Sequence, residues 1–446
     1  MPKSPPSWFD NFPSFIEKHG AASLSKDLEL LPYSEDYLHW DRLRYKHSPK
    51  SWKNAPKDWS HEDWWTVLKS NRVSRYQKIS LSDSNGQPFV FFLTQAMFAN
   101  VHHLDKQCGG AMGGLSEGKT LSEDSSRYYI SSLIEESITS SQLEGAAVTR
   151  EIAKEMLRSN KKPSSTNERM ILNNFITMRE IRNHIDEDLT PELILQFHRT
   201  LTAGTLKNEA ASGRLRTSQE QIEVIDTTTE EVMHTPPPAD QLEDRLKKLC
   251  EFANKKEMDG YMHPIIRSIV LHFSLAYDHP FVDGNGRTAR ALFYWSMLKH
   301  GYWMMEYVSL SSILLKAPVQ YYKAFLYTET DGGDLNYFII HQLDSLSKAI
   351  DALHKYREKK QQEQRGDAEL LEGLAKWNYR QKALLSHALR HPNAEYTVNS
   401  HQNSHRINNQ TSRNDLNALV KASLLESSKI GRKSYFRPVK DFRLKL

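Results

Sequence analysis

Cysteine is nearly absent from this 446-residue chain: Cys108 and Cys250 are the only two, far apart and without metal-ligand spacing. A disulfide framework and a structural zinc site are therefore both unexpected, and the reading is a reducing compartment with two unpaired thiols. No apolar run is long enough to span a bilayer, so membrane contact is not expected. The opening MPKSPPSWFDNF lacks the continuous apolar stretch of a secretory leader, and with the reduced thiols this gives the expectation of a cytoplasmic location. Tandem repeats and low-complexity tails are missing as well. The remaining balance, 39% hydrophobic and 26% charged residues, is that of a soluble globular chain long enough for two or three packed units.

Net charge is small, +4, but it is unevenly placed. Residues 371–446 carry 14 Lys/Arg against 5 Asp/Glu, a balance of +9, which leaves the preceding 370 residues at −5. A basic segment of this kind is a solvated face, or it meets nucleic acid or an acidic partner, and charge alone leaves these open.

Four segments are expected. Residues 1–122 read as a mixed α/β region: Tyr76–Ile79 and Pro88–Leu93 flank an Asn85-Gly86 turn, a hairpin signal. Trp52, Trp59, Trp64 and Trp65 read as its core, and a Gly-rich break from Gly109 to Gly114 closes it. Residues 123–358 read as mainly helical. Ile130, Leu133, Ile134 and Ile138 form an apolar stripe, and both Thr190-Pro191 and Pro264 open helices. A hairpin between Gly213 and Pro238 interrupts that pattern, with Gln221–Ile225 alternating like a strand. Residues 359–372, which include Lys359–Arg365, have no apolar face and read as a linker. Residues 373–446 read as a winged helix-turn-helix, with Asn378 and Gln381 as a capping box, a helix over Thr411–Ala422 and a wing around Gly431.

The chemistry is concentrated in His279-Pro280-Phe281-Val282-Asp283-Gly284-Asn285-Gly286-Arg287-Thr288-Ala289-Arg290. Gly284 and Gly286 let the backbone approach a ligand, and the helix they open offers unpaired N–H groups and the positive end of its dipole to phosphate. Arg287 and Arg290, three apart, share a face of the first turn and can reach one polyphosphate. Asp283 is a hard oxygen ligand suited to Mg²⁺. His279 has the intrinsic pKa of a base near neutral pH. A glycine-rich helix start that merely binds an anion is the plainer alternative.

These residues resemble the Fic (Fido) family motif HPFx[D/E]GNGRxxR without departure. The resemblance implies a mainly α Fic-type helical bundle with a β-hairpin flap, in which His279 is the base and Asp283 holds the metal. Asn285 with the Gly284 and Gly286 amides would grip the phosphates, and Arg290 would meet the terminal one. Ser140-Ser141-Gln142-Leu143-Glu144-Gly145 resembles the family's inhibitory motif [S/T]xxxE[G/N], which implies that Glu144 pairs with Arg290 and blocks productive ATP binding. Gly213-Arg214-Leu215-Arg216 and the strand near Val224 and Ile225 are similar to the family's target-binding flap entrance. Tyr321 and Tyr322 are similar to its tyrosine pair beside the nucleotide. Glu329 stands where some relatives carry Asn, and His263 and His272 read as structural.

The activity so implied is transfer of AMP from ATP, with Mg²⁺, to a Ser, Thr or Tyr hydroxyl of a target protein or of the chain itself. AMP removal and other phosphotransfer are open alternatives within the family. A DNA-binding regulator that senses nucleotide is the alternative of a different class. Its basic tail is offset by few basic residues on the expected recognition helix, Arg413 and Lys421, although Thr411, Asn414 and Asn417 could read bases. The target, the modified hydroxyl and whether the chain forms a homodimer are not legible.

Overall fold

A computed structural model describes residues 2–21, 23, 37–43, 59–108, 123–226, 229–255, 261–370, 377–430 and 433–440. Trp52 and the Gly109–Gly114 break lie outside the described residues. The chain is mainly helical, with three small antiparallel sheets among the described residues. No helix among the described residues is long and apolar enough to cross a membrane.

The N-terminal region starts with α1 (Trp8–His19) and α2 (His61–Val73), whose Phe15, Trp64, Trp65 and Val67 form a small core of their own. Ser60 and Asp63 cap α2 reciprocally. The expected hairpin follows as β1 (Gln77–Ser82) and β2 (Pro88–Phe91), which pair antiparallel. The outer edge of β2 does not stay open: Val90 exchanges backbone bonds with Gly333 and Leu335, and the Asn336 carboxamide brackets the Phe92 backbone. An edge strand is thereby paired, and the first region becomes part of the main body. Next comes α3 (Gln95–Cys108).

Helices α4 (Glu123–Leu143), α5 (Arg150–Ser159), α6 (Thr166–Ile181) and α7 (Pro191–Thr202) lead to the flap strands β3 (Val224–Ile225) and β4 (Val232–His234). Thr190 caps α7 with Pro191 in its first turn, as the sequence indicates. After α8 (Leu242–Asn254) the two central helices are α9 (Pro264–Asp278) and α10 (Asn285–Lys299). Both are buried on nearly every face, so side chains that would be solvated on an ordinary amphipathic helix are held here in the interior. Six residues connect them, and those six contain the expected base and acid.

Helices α11 (Pro318–Thr330) and α12 (Asn336–Leu370) complete the body. Lys359–Arg365, expected as a linker, continues α12 as helix; charged residues without an apolar face still have good helix propensity once a nucleus is in place. The C-terminal unit contains α13 (Tyr379–Arg390), β5 (Tyr396–Thr397), α14 (Val398–His405), α15 (Asn409–Lys421), β6 (Leu425–Ile430) and β7 (Lys433–Pro438), with strand order β5-β7-β6. Its core, including Leu385, Leu416, Leu419 and Phe436, is separate from the main one. The Asn378/Gln381 capping box forms as expected.

One buried network ties the N-terminal region to the segment before α12. Asp334 accepts from Tyr37 Oη (2.5 Å) and Tyr76 Oη (2.6 Å) and from the Asn336 amide, while Lys69 pairs with Asp331 at 2.7 Å. Asp334→Ala should destabilise the chain by about 3–5 kcal/mol, because it leaves buried donors without an acceptor. Urea unfolding followed by tryptophan fluorescence checks this, and Asp334→Asn, which retains an acceptor, should cost less.

Candidate functional site

His279 ends α9 in the left-handed conformation (φ 45°, ψ 54°), with its amide bonded to the Leu275 carbonyl. For a residue with a Cβ this conformation costs about 1–2 kcal/mol, and it turns the chain sharply from α9 into the loop. Nδ1 lies 3.2 Å from the Ala276 carbonyl, an acceptor only, so Nδ1 carries the proton and Nε2 keeps its lone pair. Burial, opposed in part by the Ala276 carbonyl, lowers the imidazole pKa to about 4. The ring is therefore neutral at pH 7 and has the tautomer of a base.

The loop after it is held from within and from α7. The Asn285 carboxamide accepts from the Phe281 amide (2.9 Å) and donates to the Phe281 carbonyl (2.8 Å). Asn285 was expected to grip phosphate; in the structure its buried side chain closes the loop, and its backbone amide starts α10. His198 on α7, which the sequence did not single out, stacks flat on Phe281 at 3.7 Å. Its Nε2 meets the Asp283 carbonyl at 2.9 Å and its Nδ1 accepts from the Gly213 amide at 3.0 Å. One imidazole thus joins the loop to the start of the flap. Burial also lowers its pKa to about 4. A lone histidine on an apolar helix carries no signal that separates this role from packing.

Gly284 caps α10 with φ 85°, and a Cβ there would come within 2.8 Å of Thr202. No side chain caps the helix, so its first amides lack intrahelical partners, as helix starts that meet anions do. Asp283 stands beside them with its side chain 53% exposed. Among the described residues only its Oδ1 is engaged, by the Gly284 amide and by Arg287.

The two arginines do not converge as their spacing suggested. Arg287 is buried and turns to the Leu201 carbonyl and Asp283, both at 3.3 Å. Arg290, 1% exposed, turns to the end of α4. Its Nε donates to Ser140 Oγ (2.8 Å), and Nη2 donates to the Ser140 carbonyl (2.9 Å) and Glu144 Oε1 (2.9 Å). The guanidinium therefore caps the last turn of α4, where unpaired carbonyls and the negative dipole end favour a cation. Burial works against its charge, but Glu144 holds its pKa above the ordinary arginine value. A Cβ on Gly286 would come within 2.2 Å of Glu144 Oε1 and push that carboxylate aside.

The flap is anchored at both ends. Arg216 donates from its backbone to the Pro280 carbonyl and from its side chain to the His279 and Pro237 carbonyls. His234, at the end of β4, lies 2.7 Å from Glu329 Oε2 and 2.7 Å from the Tyr277 carbonyl. Burial pulls its pKa down, but these two acceptors carry it above the usual value, so it is a charged link between flap and body. Glu329 thus serves the flap. Val224 and Ile225 pair with β4, and Ile225 is exposed. Tyr322 is 48% exposed, whereas Tyr321, expected beside a nucleotide, is 4% exposed and shares a 2.8 Å bond with His272. Its ring packs against Phe325 and Phe338, so Tyr321 belongs to the core. His263 bonds Asp105, in keeping with a structural role.

Residues 188–297 match the Fic/DOC family. This stretch contains the loop from His279 to Arg290 but neither Ser140 and Glu144 nor the C-terminal unit. Over 116 residues the chain is 33% identical to a protein adenylyltransferase Fic of Nematostella vectensis, covering 26% of this chain and 24% of that protein. It is 31% identical over 116 residues to protein adenylyltransferase fic-1 of Caenorhabditis elegans, covering 26% and 20%. The match thus spans about a quarter or less of these curated relatives. Among solved structures, a Fic family protein from Desulfovibrio desulfuricans G20 superposes with a TM-score of 0.48 at 19% identity, covering 77% of this chain and 94% of that one.

The three histidines should titrate in opposite directions. His279 and His198 have folded pKa values of about 4, below the unfolded 6.5, so the unfolded chain binds more protons between those values. Their contribution is complete above pH 6.5 and is lost as pH falls toward 4. His234 is raised, so its contribution is complete below pH 6.5 and is lost as pH climbs through its folded value. Imidazole titration by NMR should place His279 and His198 near 4 and His234 above 6.5, with Glu329→Gln pulling His234 down. A His279 midpoint near 6.5 would contradict the buried, carbonyl-bonded ring.

Proposed function

We propose that this chain, built around a Fic/DOC domain, is a protein adenylyltransferase that moves AMP from ATP to a Ser, Thr or Tyr hydroxyl and is held back by Glu144. The observation that carries this reading is the juxtaposition at one loop of a neutral imidazole with a free Nε2 and an uncapped helix start with a buried guanidinium one turn deeper. A base beside an anion site suits transfer of a phosphorus centre to a hydroxyl. An anion site alone would need neither the tautomer nor the desolvation of His279.

In the proposed reaction the target oxygen attacks the α-phosphorus of ATP, the bond to the β-phosphate breaks, and pyrophosphate leaves with the electron pair. The hydroxyl proton passes to Nε2 of His279. The amides of Asn285 and Gly286 face the charge that grows on the α-phosphate, in a fixed geometry that needs no reorganisation. Arg290, once free of Glu144, holds the terminal phosphate so that the leaving group stays in line. The edge of β3 at Val224 and Ile225 takes an extended target segment by strand addition.

Asp283 fits Mg²⁺. Its exposed carboxylate is a hard donor beside the phosphate site, and Mg²⁺ commonly binds one or two carboxylates together with phosphates and water. The described residues hold no group of three or more His, Cys, Asp or Glu that would fix a metal without such partners. When bound there, Mg²⁺ would neutralise phosphate charge and act as a Lewis acid.

A second partner, DNA, is proposed for the C-terminal unit. Its expected winged helix-turn-helix would present α15, whose Arg413, Asn414, Asn417 and Lys421 are exposed. DNA bound through phosphates would give an affinity that falls steeply with salt.

His279→Ala should lower transfer by about 10²–10⁴-fold while ATP affinity is little changed. An equal loss of both would place His279 in binding. Glu144→Gly should raise self-labelling from α-labelled ATP more than it raises ATP affinity. The double change Glu144→Gly with Arg290→Ala should lose that gain, since the freed guanidinium is what the terminal phosphate needs. If the two changes act additively, Glu144 and Arg290 work at separate places.

A further inference from the structure

Between the main body and the C-terminal unit lies a groove of about 750 Å³, bounded by α4, α5 and α6 on one side and α14 on the other. Its size is within the range of small-molecule sites. Its apolar lining includes Ile134, Phe175 and Ile176, the last 38% exposed, while Tyr129 is buried. Four arginines line it: Arg158, Arg179 and Arg182 from the body and Arg406 from the C-terminal unit.

The charges are unequally answered. Arg182 pairs with Glu306 at 3.3 Å, and Glu180 is engaged by the Thr200 hydroxyl at 3.1 Å. Among the described residues no carboxylate pairs with Arg158, Arg179 or Arg406. Instead Arg406 lies over the Tyr129 ring at 4.2 Å, and Arg179 lies 5.9 Å from the Phe175 ring. Arginines stacked on aromatic faces keep their N–H forks open to a carboxylate, sulfonate or phosphate while presenting a flat surface to a ring. Arg158 and Arg179 beside an apolar lining, with Arg406 shared between the Tyr129 ring and the field of Glu306, are complementary to one chemistry.

We propose that this groove binds a small organic anion with a flat apolar body, the ring against Phe175 and Ile176 and the anionic group among Arg158, Arg179 and Arg406. Its two walls belong to different units, joined directly by Asn403 Nδ2 donating to the Arg158 carbonyl at 2.6 Å. A ligand there bridges the C-terminal unit to α4. The site is separate from the His279 loop, so it stands or falls independently of the transferase reading.

The test uses 8-anilinonaphthalene-1-sulfonate, an aromatic sulfonate, titrated by fluorescence into the full chain at pH 7. One saturable site is expected, weakened by added NaCl, as exposed charge pairs are. N-phenyl-1-naphthylamine, which lacks the sulfonate, should bind at least about tenfold more weakly, the order of one charge-assisted hydrogen bond. Arg179→Glu and Ile176→Glu both alter exposed positions of α6, so the fold should survive, as circular dichroism checks. Each should weaken the sulfonate by about tenfold or more. Equal binding of the neutral and anionic probes, or unchanged affinity and stoichiometry in both folded variants, would overturn the proposal.

Discussion

Arg290 is almost wholly removed from water with its charge intact, and a guanidinium so placed has to be surrounded by acceptors. The acceptors it finds come from the end of α4: the Ser140 hydroxyl, the Ser140 carbonyl and the Glu144 carboxylate. Several other features follow from that requirement. A Cβ at residue 286 would displace the Glu144 carboxylate from where it meets Arg290. The last turn of α4 needs no other cap for the Ser140 carbonyl. One turn back on the same helix face, the buried Glu136 binds Ser309 and Ser311, which holds α4 in register against the segment before α11. The i, i+4 spacing of Glu136, Ser140 and Glu144 thus lays one polar stripe along a helix whose other face is apolar.

That arrangement makes the site two-sided. The same donors that meet Glu144 in this structure are the donors a terminal phosphate would need. A carboxylate attached to the protein has no entropy of association to overcome, so it competes at a high local concentration. Glu144 follows the last residue of the helix, in a turn closed by its own amide on Ser141 and by Gly145 on Gln142, with Gly145 at φ 88°. Ser140 thus holds the guanidinium through its hydroxyl and carbonyl, and Glu144 meets one of its nitrogens from beyond the helix end.

The loop stood out in the sequence as the candidate site because it combines contiguous residues whose types have few other uses together: an imidazole, an acid, two glycines and two arginines within twelve positions. Helix starts at Thr190 and Pro264 and the hairpin at Asn85-Gly86 were legible for the same reason, since caps and turns are local. Roles that depend on where a side chain points were not. Asn285 and Arg287 look like ligand groups in one dimension, yet burial directs them to Phe281 and Leu201. Tyr321 looks like an aromatic wall and is core, because α11 turns that face inward toward His272. His198 was missed altogether: its two partners, Asp283 and Gly213, are 85 and 15 residues away, and no spacing rule connects them.

His198 and Arg216 also explain why the loop and the flap behave as one piece. Each reaches from one to the other, His198 through its two ring nitrogens and Arg216 through its backbone amide and guanidinium. A proton on the Nδ1 of His198 would remove the acceptor for the Gly213 amide, so the lowered pKa of that ring preserves the junction across the neutral range. His234 uses the opposite device, staying charged so that Glu329 and the Tyr277 carbonyl are both satisfied. The imidazole of His279 lies between these two anchors and is oriented by the Ala276 carbonyl alone. Its own backbone is fixed at three points, by its amide on Leu275, by its carbonyl on Arg216 and by the αL turn. The rigidity that aims Nε2 therefore comes from the main chain and its neighbours, and the ring itself keeps its free nitrogen.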